Sequence, residues 1–194
     1  TKKANLLNIW EEDVEIKFGE ATSKSAELSF DSLKTATEAL KNKEIDALVT
    51  APINKASIQE RVPSFIGHTE FLQGNFKGES LMIMVSEIMK VAFVTGHIPL
   101  TNVKKSITIE NIIQKIKQLN TSLIEDFGIR NPKISVLGLN PHAGESGTIG
   151  TEENEVISPA INELIDNGYN AIGPVSADTA FAAGNYDAVL SMYH

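Results

Sequence analysis

The sequence has no cysteine among its 194 residues, which excludes disulfides and thiolate metal sites outright. It also lacks any apolar run near the roughly 20 residues needed to span a bilayer, and no signal-peptide pattern is visible in its first residues. Positive charge is scarce: 17 Lys and Arg stand against 25 Asp and Glu, for a formal net charge of -8. The acidic residues are scattered rather than run together. Such a chain has no sequence-independent grip on nucleic acid or on an anionic membrane, so neither partner is expected. A cytoplasmic address is the default expectation. No internal repeat, low-complexity linker or initiator methionine is present, and the chain opens on "TKKANLLNIW" and stops on "YDAVLSMYH". It reads as a fragment trimmed at both ends. What remains is ordinary for a globular protein: 42% hydrophobic residues are enough to build a sizeable core.

Strand-like and helix-like segments alternate along the chain. From Ser23 to Leu40, Ala26, Phe30, Leu33, Ala36, Ala39 and Leu40 fall on one helical face. Residues 108–127 carry apolar side chains at helical spacing, and Gly128 supplies a C-terminal cap. Ser158-Pro159 reads as an N-cap followed by proline in the first helical turn. The apolar runs "IDALVTAP", "SLMIMV", "KVAFVTGH", "KISVLGLN", "NAIGPVSA" and "YDAVLSMYH" read as strands. Alternation of this kind predicts an α/β fold with a largely parallel sheet.

The chain holds only four histidines, His68, His97, His142 and His194, and the last three each follow an apolar β run. In an open parallel sheet, ligands bind outside the carboxyl ends of the strands. Three imidazoles at one such edge could hold a metal ion and leave a coordination position open. A histidine after a strand is otherwise a hydrogen-bonded loop residue, and spacing alone does not decide between the two.

The remaining motifs are less specific. "GHTEFL" offers His68 and Thr69 as a donor pair, or Thr69 as the N-cap of a helix. "NPHAGESGTIGTEE" spaces its glycines as G-x-x-G-x-x-G, with no following lysine, and so fails as a dinucleotide or phosphate loop. Glu152 and Glu153, in the first turn of a following helix, would repel a pyrophosphate, leaving a lid or turn beside the histidine edge. Lys55 in "VTAPINKASI" supplies local positive charge suited to an anionic substrate, or is a solvated lysine after a turn. Asp178 in "GPVSADTAF" is a general base, a carboxylate behind a metal ligand, or an N-cap.

Taken together, "DALVTAPINK", "IGHTEFL", "VAFVTGHIPL", "LGLNPHAGESG", "GPVSADTAF" and "YDAVLSMYH" resemble the 4-hydroxythreonine-4-phosphate dehydrogenase family, in order, from Phe30 to the last residue. The resemblance implies two α/β/α domains of the isocitrate/isopropylmalate dehydrogenase kind, with mostly parallel sheets, here truncated. Residues 1–60 would be the remainder of the first domain and residues 61–194 the second, carrying the metal site and leading back towards the first. It implies NAD (or NADP) as oxidant and a divalent cation (zinc, magnesium or cobalt) on His97, His142 and His194. The substrate would be the phosphorylated acid 4-phosphooxy-L-threonine, touched by His68 and Thr69, with Asp178 or Lys55 as general base. Oxidation and decarboxylation would give 3-amino-2-oxopropyl phosphate on the route to pyridoxal phosphate. The family's homodimers share active sites between subunits, and its members continue beyond the last histidine with further substrate contacts. Alternatives are a dehydrogenase of erythronate or threonate 4-phosphate, a metal-dependent hydrolase, or an inactive metal-binding remnant.

Overall fold

The computed structural model describes residues 4–15, 17–182 and 184–194. They form two compact units, Thr1–Ser80 and Leu81–His194. From the sequence a boundary is expected near residue 60. The segment 61–80 instead packs with the first unit, because Phe65 and Phe71 close on Phe30 at ring-centroid distances of 5.5 and 5.4 Å.

The first unit contains three helices: α1 (Ser23–Lys41), α2 (Lys55–Gln59) and α3 (His68–Asn75). Helix α1 starts where Thr22 and Ser25 exchange side-chain and backbone hydrogen bonds, satisfying donors the first turn leaves free. Its apolar face meets Ile58 of α2 and Phe65 in a small core built from Ala26, Leu33, Ile58 and Phe65. The run "IDALVTAP" forms no strand. Residues 47–50 are in neither helix nor strand, no strand among the described residues pairs with them, and Val49 is 95% exposed. Apolar, β-favouring residues make a strand only when another strand supplies the ladder.

The second unit is built on a five-stranded sheet in the order β1-β2-β5-β3-β4. Its strands are β1 (Ile83–Val85), β2 (Lys90–Phe93), β3 (Ile134–Leu137), β4 (Ala171–Val175) and β5 (Ala188–Ser191). Only the β1–β2 hairpin is antiparallel; β2, β5, β3 and β4 run parallel. Helices α4 (Leu100–Ser106), α5 (Ile109–Glu125), α6 (Ser158–Asp166) and α7 (Ala177–Ala180) lie between the strands in sequence. This is the mostly parallel α/β architecture expected from the alternation of elements.

Both faces of the sheet are covered, as a parallel sheet requires. On one face Ala188, Leu190 and Met192 join Ile112, Ile116, Leu119 and Leu123 of α5 and Ile161 and Leu164 of α6. Burial of each such large side chain contributes about 1.5–3 kcal/mol. On the other face Val189 packs with Leu137 and Ala180. Helix α5 begins at the Thr108 cap and ends as the spacing predicts. Gly128 sits at φ +71°, its N–H donating to Ile124 O while Ile129 N–H reaches Leu123 O. The start of α6 differs from expectation. Ser158 is not an N-cap, because a wide helical turn, Glu153–Ile157, runs straight into the helix and places Ser158 within a continuous helical path.

Candidate active site

The geometry starts with register. Phe93 of β2 lies opposite Ser191 of β5, and Val136 of β3 lies opposite Leu190, so three neighbouring parallel strands end at the same edge. Pairing between β2 and β5 continues past the strand ends. Val94 N–H donates to Ser191 O at 2.9 Å, and Met192 O accepts both the Thr95 N–H and the Thr95 hydroxyl at 3.2 and 3.0 Å. This zipped extension delivers His97 and His194 side by side, ring centroids 5.3 Å apart and nearly perpendicular. The edge of Phe93 supports the His194 ring at 5.1 Å.

His142 follows β3 on a different kind of backbone. Residues His142, Ala143, Gly144, Glu145 and Ser146 all have positive φ, between 43° and 76°, a left-handed turn. Such a course costs non-glycine residues about 1–2 kcal/mol each, so something must hold it. The holding group is Glu153, 2% exposed. Its Oε1 accepts the N–H groups of Leu139 and Asn140 at 2.8 and 2.7 Å, and its Oε2 accepts Asn140 Nδ2 at 2.9 Å. Hydrogen bonds to a charged acceptor are each worth about 1.5–3 kcal/mol, the same order as the strain. Gly144 belongs to this arrangement: a Cβ there would stand 2.5 Å from Glu153 Oε2.

Asn140 Nδ2 also donates to Glu152 Oε2 at 2.7 Å, and Lys104 Nζ pairs with the other Glu152 oxygen. Lys104, with Asn140 next, holds the Glu152 carboxyl down at about 2. The two glutamates after the glycine-rich run therefore stand at the helix start, but their task is to tie down the preceding loop.

His142 Nδ1 lies 3.2 Å from Asp178 Oδ2. A carboxylate at one ring nitrogen fixes the imidazole tautomer and leaves the other nitrogen as a donor. Asp178 is not the N-cap of α7. Ser176 occupies that position, and its hydroxyl donates to Asp178. That hydrogen bond above all, with the neighbouring His142 adding to it, holds the Asp178 carboxyl below the usual carboxylate range, which makes it a weak base near neutral pH. Among the described residues no three His, Cys, Asp or Glu side chains stand together as a chelating group. The donor set is nonetheless of the kind a divalent cation takes: two exposed imidazoles in contact, and a third already oriented by a carboxylate.

The other expected residues lie in the first unit. Thr69 is not a cap, since α3 begins one residue earlier with Gly67 in the N-cap position. Lys55 opens α2, and its Nζ lies 3.3 Å from where a Cβ on Gly67 would be, with Glu70 Oε2 3.0 Å from that same point. His68 lines a hollow of about 770 Å³ together with Thr50, Pro52, Ser29 and Trp10. Lys55 and His68–Thr69 are thus brought together around Gly67. His97 and His194 are brought together by β2 and β5, and His142 is paired with Asp178.

The sequence matches the family described as pyridoxal phosphate biosynthetic protein PdxA over residues 1–194. The chain belongs to this family. A Bacteroides thetaiotaomicron protein named 4-hydroxythreonine-4-phosphate dehydrogenase is 39% identical over 198 residues, covering 99% of this chain and 54% of that protein. A Sulfurihydrogenibium protein of the same name is 40% identical over 191 residues, covering 97% of this chain and 59% of its own length. The crystal structure of the Klebsiella pneumoniae 4-hydroxythreonine-4-phosphate dehydrogenase superposes with a TM-score of 0.82 at 31% identity, covering 92% of this chain and 55% of that one. The chain therefore spans about half the length of the relatives it matches. Among the described residues no helix is long and apolar enough to cross a membrane.

Two residues that the sequence does not single out complete the edge, Thr95 and Asn140, and a third, Glu153, takes a different task from the repulsion expected of it. Thr95 is a buried polar residue at the tip of a strand, a visible signal. Nothing in the sequence tells Glu153 from its neighbour Glu152.

Proposed function

We propose that the protein to which this chain belongs oxidises 4-phosphooxy-L-threonine with NAD or NADP and releases carbon dioxide, giving 3-amino-2-oxopropyl phosphate for pyridoxal phosphate synthesis. The observation that carries the reading is the family match over the whole chain, joined to histidines at the carboxyl ends of three adjacent parallel strands. His97, His142 and His194 would hold the divalent cation, zinc, magnesium or cobalt. When bound there, a cation would supply Lewis-acid chemistry, polarising a substrate oxygen and offsetting negative charge.

The protein groups divide the remaining work. His68 and Thr69 take the phosphate or carboxylate of the substrate. Asp178 fixes the ring of His142 rather than acting as the general base, since its hydrogen bonds favour the ionised form. That leaves Lys55 as the candidate to accept the hydroxyl proton while hydride leaves the same carbon for the nicotinamide. The β-keto acid so formed loses carbon dioxide, and its enolate is protonated.

The reading carries with it a cytoplasmic homodimer with active sites shared between copies. Sharing would let residues of two copies complete a ligand set that the described residues of one copy do not gather.

The test is reduction of NAD by the full-length protein. It is offered 4-phosphooxy-L-threonine and, separately, erythronate 4-phosphate, each with zinc or with a chelator. Metal-dependent turnover of the aminated substrate is expected. Preference for the non-aminated acid would assign a neighbouring dehydrogenase activity, and chelator-sensitive ester hydrolysis without NAD would assign a hydrolase.

A further inference from the structure

We infer that Glu153 is a positioning residue: by anchoring the left-handed turn from its buried carboxylate, it sets where His142 presents its imidazole. This rests on the metal-binding reading of His142. The argument begins with an oddity of placement. Among the described residues this carboxylate, only 2% exposed, pairs with no lysine, arginine or histidine; it accepts from two backbone N–H groups and one side-chain amide. Burying a charge without a counter-charge is costly, so the protein gains something specific from these contacts.

All three contacts fall on Leu139 and Asn140, the last residues before the turn that carries His142. Beyond them, Ala143 N–H returns to Asn140 O at 3.1 Å, and Ile149 N–H closes on Gly144 O at 3.1 Å. Glu153 therefore fixes the root of the turn. Its Oε2 also lies where any side chain at residue 144 would have to go, which fixes the middle. The imidazole itself is steadied separately by Asp178. Backbone and ring are thus held by two different carboxylates. A ligand on a mobile loop would not keep the sub-ångström placement that metal coordination needs.

Glu153→Gln keeps the size of the side chain and one accepting oxygen, but sets an amide against Asn140 Nδ2. Glu153→Ala removes all three bonds. Both are made in the full-length protein, with His142→Ala as reference, and titrated with Co²⁺ alone. Three readouts are followed: affinity, the visible bands of bound cobalt, and amide hydrogen exchange at Leu139 and Asn140. The expected result is a loss of cobalt affinity of about 10- to 100-fold for Glu153→Ala, a smaller loss for Glu153→Gln, shifted cobalt bands, and faster exchange at both amides. A purely structural role would lower the melting temperature but leave the bands of the folded protein unmoved, and that would overturn the inference. Weaker cobalt binding without faster exchange would overturn it too, because the carboxylate would then act by its charge. If His142→Ala binds cobalt as tightly as the unaltered protein, the metal reading of His142 fails, and this inference fails with it, by a separately recognisable result.

Discussion

"IDALVTAP" and "YDAVLSMYH" are nearly the same phrase: an acidic residue, then a run of small and large apolar ones. The second became β5, the centre of the sheet, hydrogen-bonded to β2 on one side and β3 on the other. The first stayed unpaired in the unit before it, with Val49 95% exposed where Leu190 is 0% exposed. Local composition proposes a strand, and a neighbouring strand decides it. The same contrast runs through the two cores. One buries α5 along its length against the sheet, whereas the other gathers Phe30, Phe65 and Phe71 between the long α1 and the short α2 and α3.

The contrast can be broken most forcefully at its two equivalent positions. Leu190→Ala should destabilise the sheet unit by about 2–5 kcal/mol, while Val49→Ala should change stability by less than about 0.5 kcal/mol, both read from urea unfolding. Equal effects would mean that the run at Val49 is buried in the folded protein. A second pair concerns glycines. Gly144→Ala meets Glu153 Oε2 on a positive-φ backbone and should cost about 1–3 kcal/mol. Gly74→Ala, in α3 with open space around it, should be neutral or stabilising by up to about 1 kcal/mol. Thr95→Val removes one of two hydrogen bonds to Met192 O and should cost about 0.5–1.5 kcal/mol by the same unfolding measurement.

The smallest effect is set by pH. Glu152 has its carboxyl lowered in the fold to about 2 by Lys104 and Asn140. A depressed carboxyl adds stability that is complete above the unfolded pKa and is lost as pH falls through the folded value. The window therefore runs from the ordinary glutamate range, about 4.5, down to about 2. Glu152→Gln should lower stability near neutrality, where the contribution is complete, and the gap to the unaltered protein should close as pH falls through that window, flattening the acid side of the curve. The ion pair lies at the surface, so salt should diminish the effect.

Much of this was legible in advance. The strand runs from "SLMIMV" onward, the α1 and α5 helices, the Gly128 cap and the parallel sheet all follow from periodicity and punctuation. So does the placement of His97, His142 and His194 after strands, because strand ends are local features. What was not legible depends on distant partners. Glu152 and Glu153 look alike in sequence, yet one faces Lys104 at the surface and the other is buried against the backbone of residues 139 and 140. The left-handed course of His142 to Ser146 could not be read from a stretch with one glycine in five residues. The helical turn before Ser158 hid behind a serine–proline pair that looks like a start signal. Asp178 matched a capping pattern, but Ser176 took the cap and freed the carboxylate for His142.

The measurement that bears most directly on the central claim is anomalous diffraction from crystals of the full-length protein soaked in zinc. The account predicts a peak at the carboxyl edge of the sheet, bonded at about 2.0–2.1 Å to the imidazoles of His97, His142 and His194, from one copy or from two. A peak bound elsewhere, or one that leaves His142 on Asp178 alone, would contradict it.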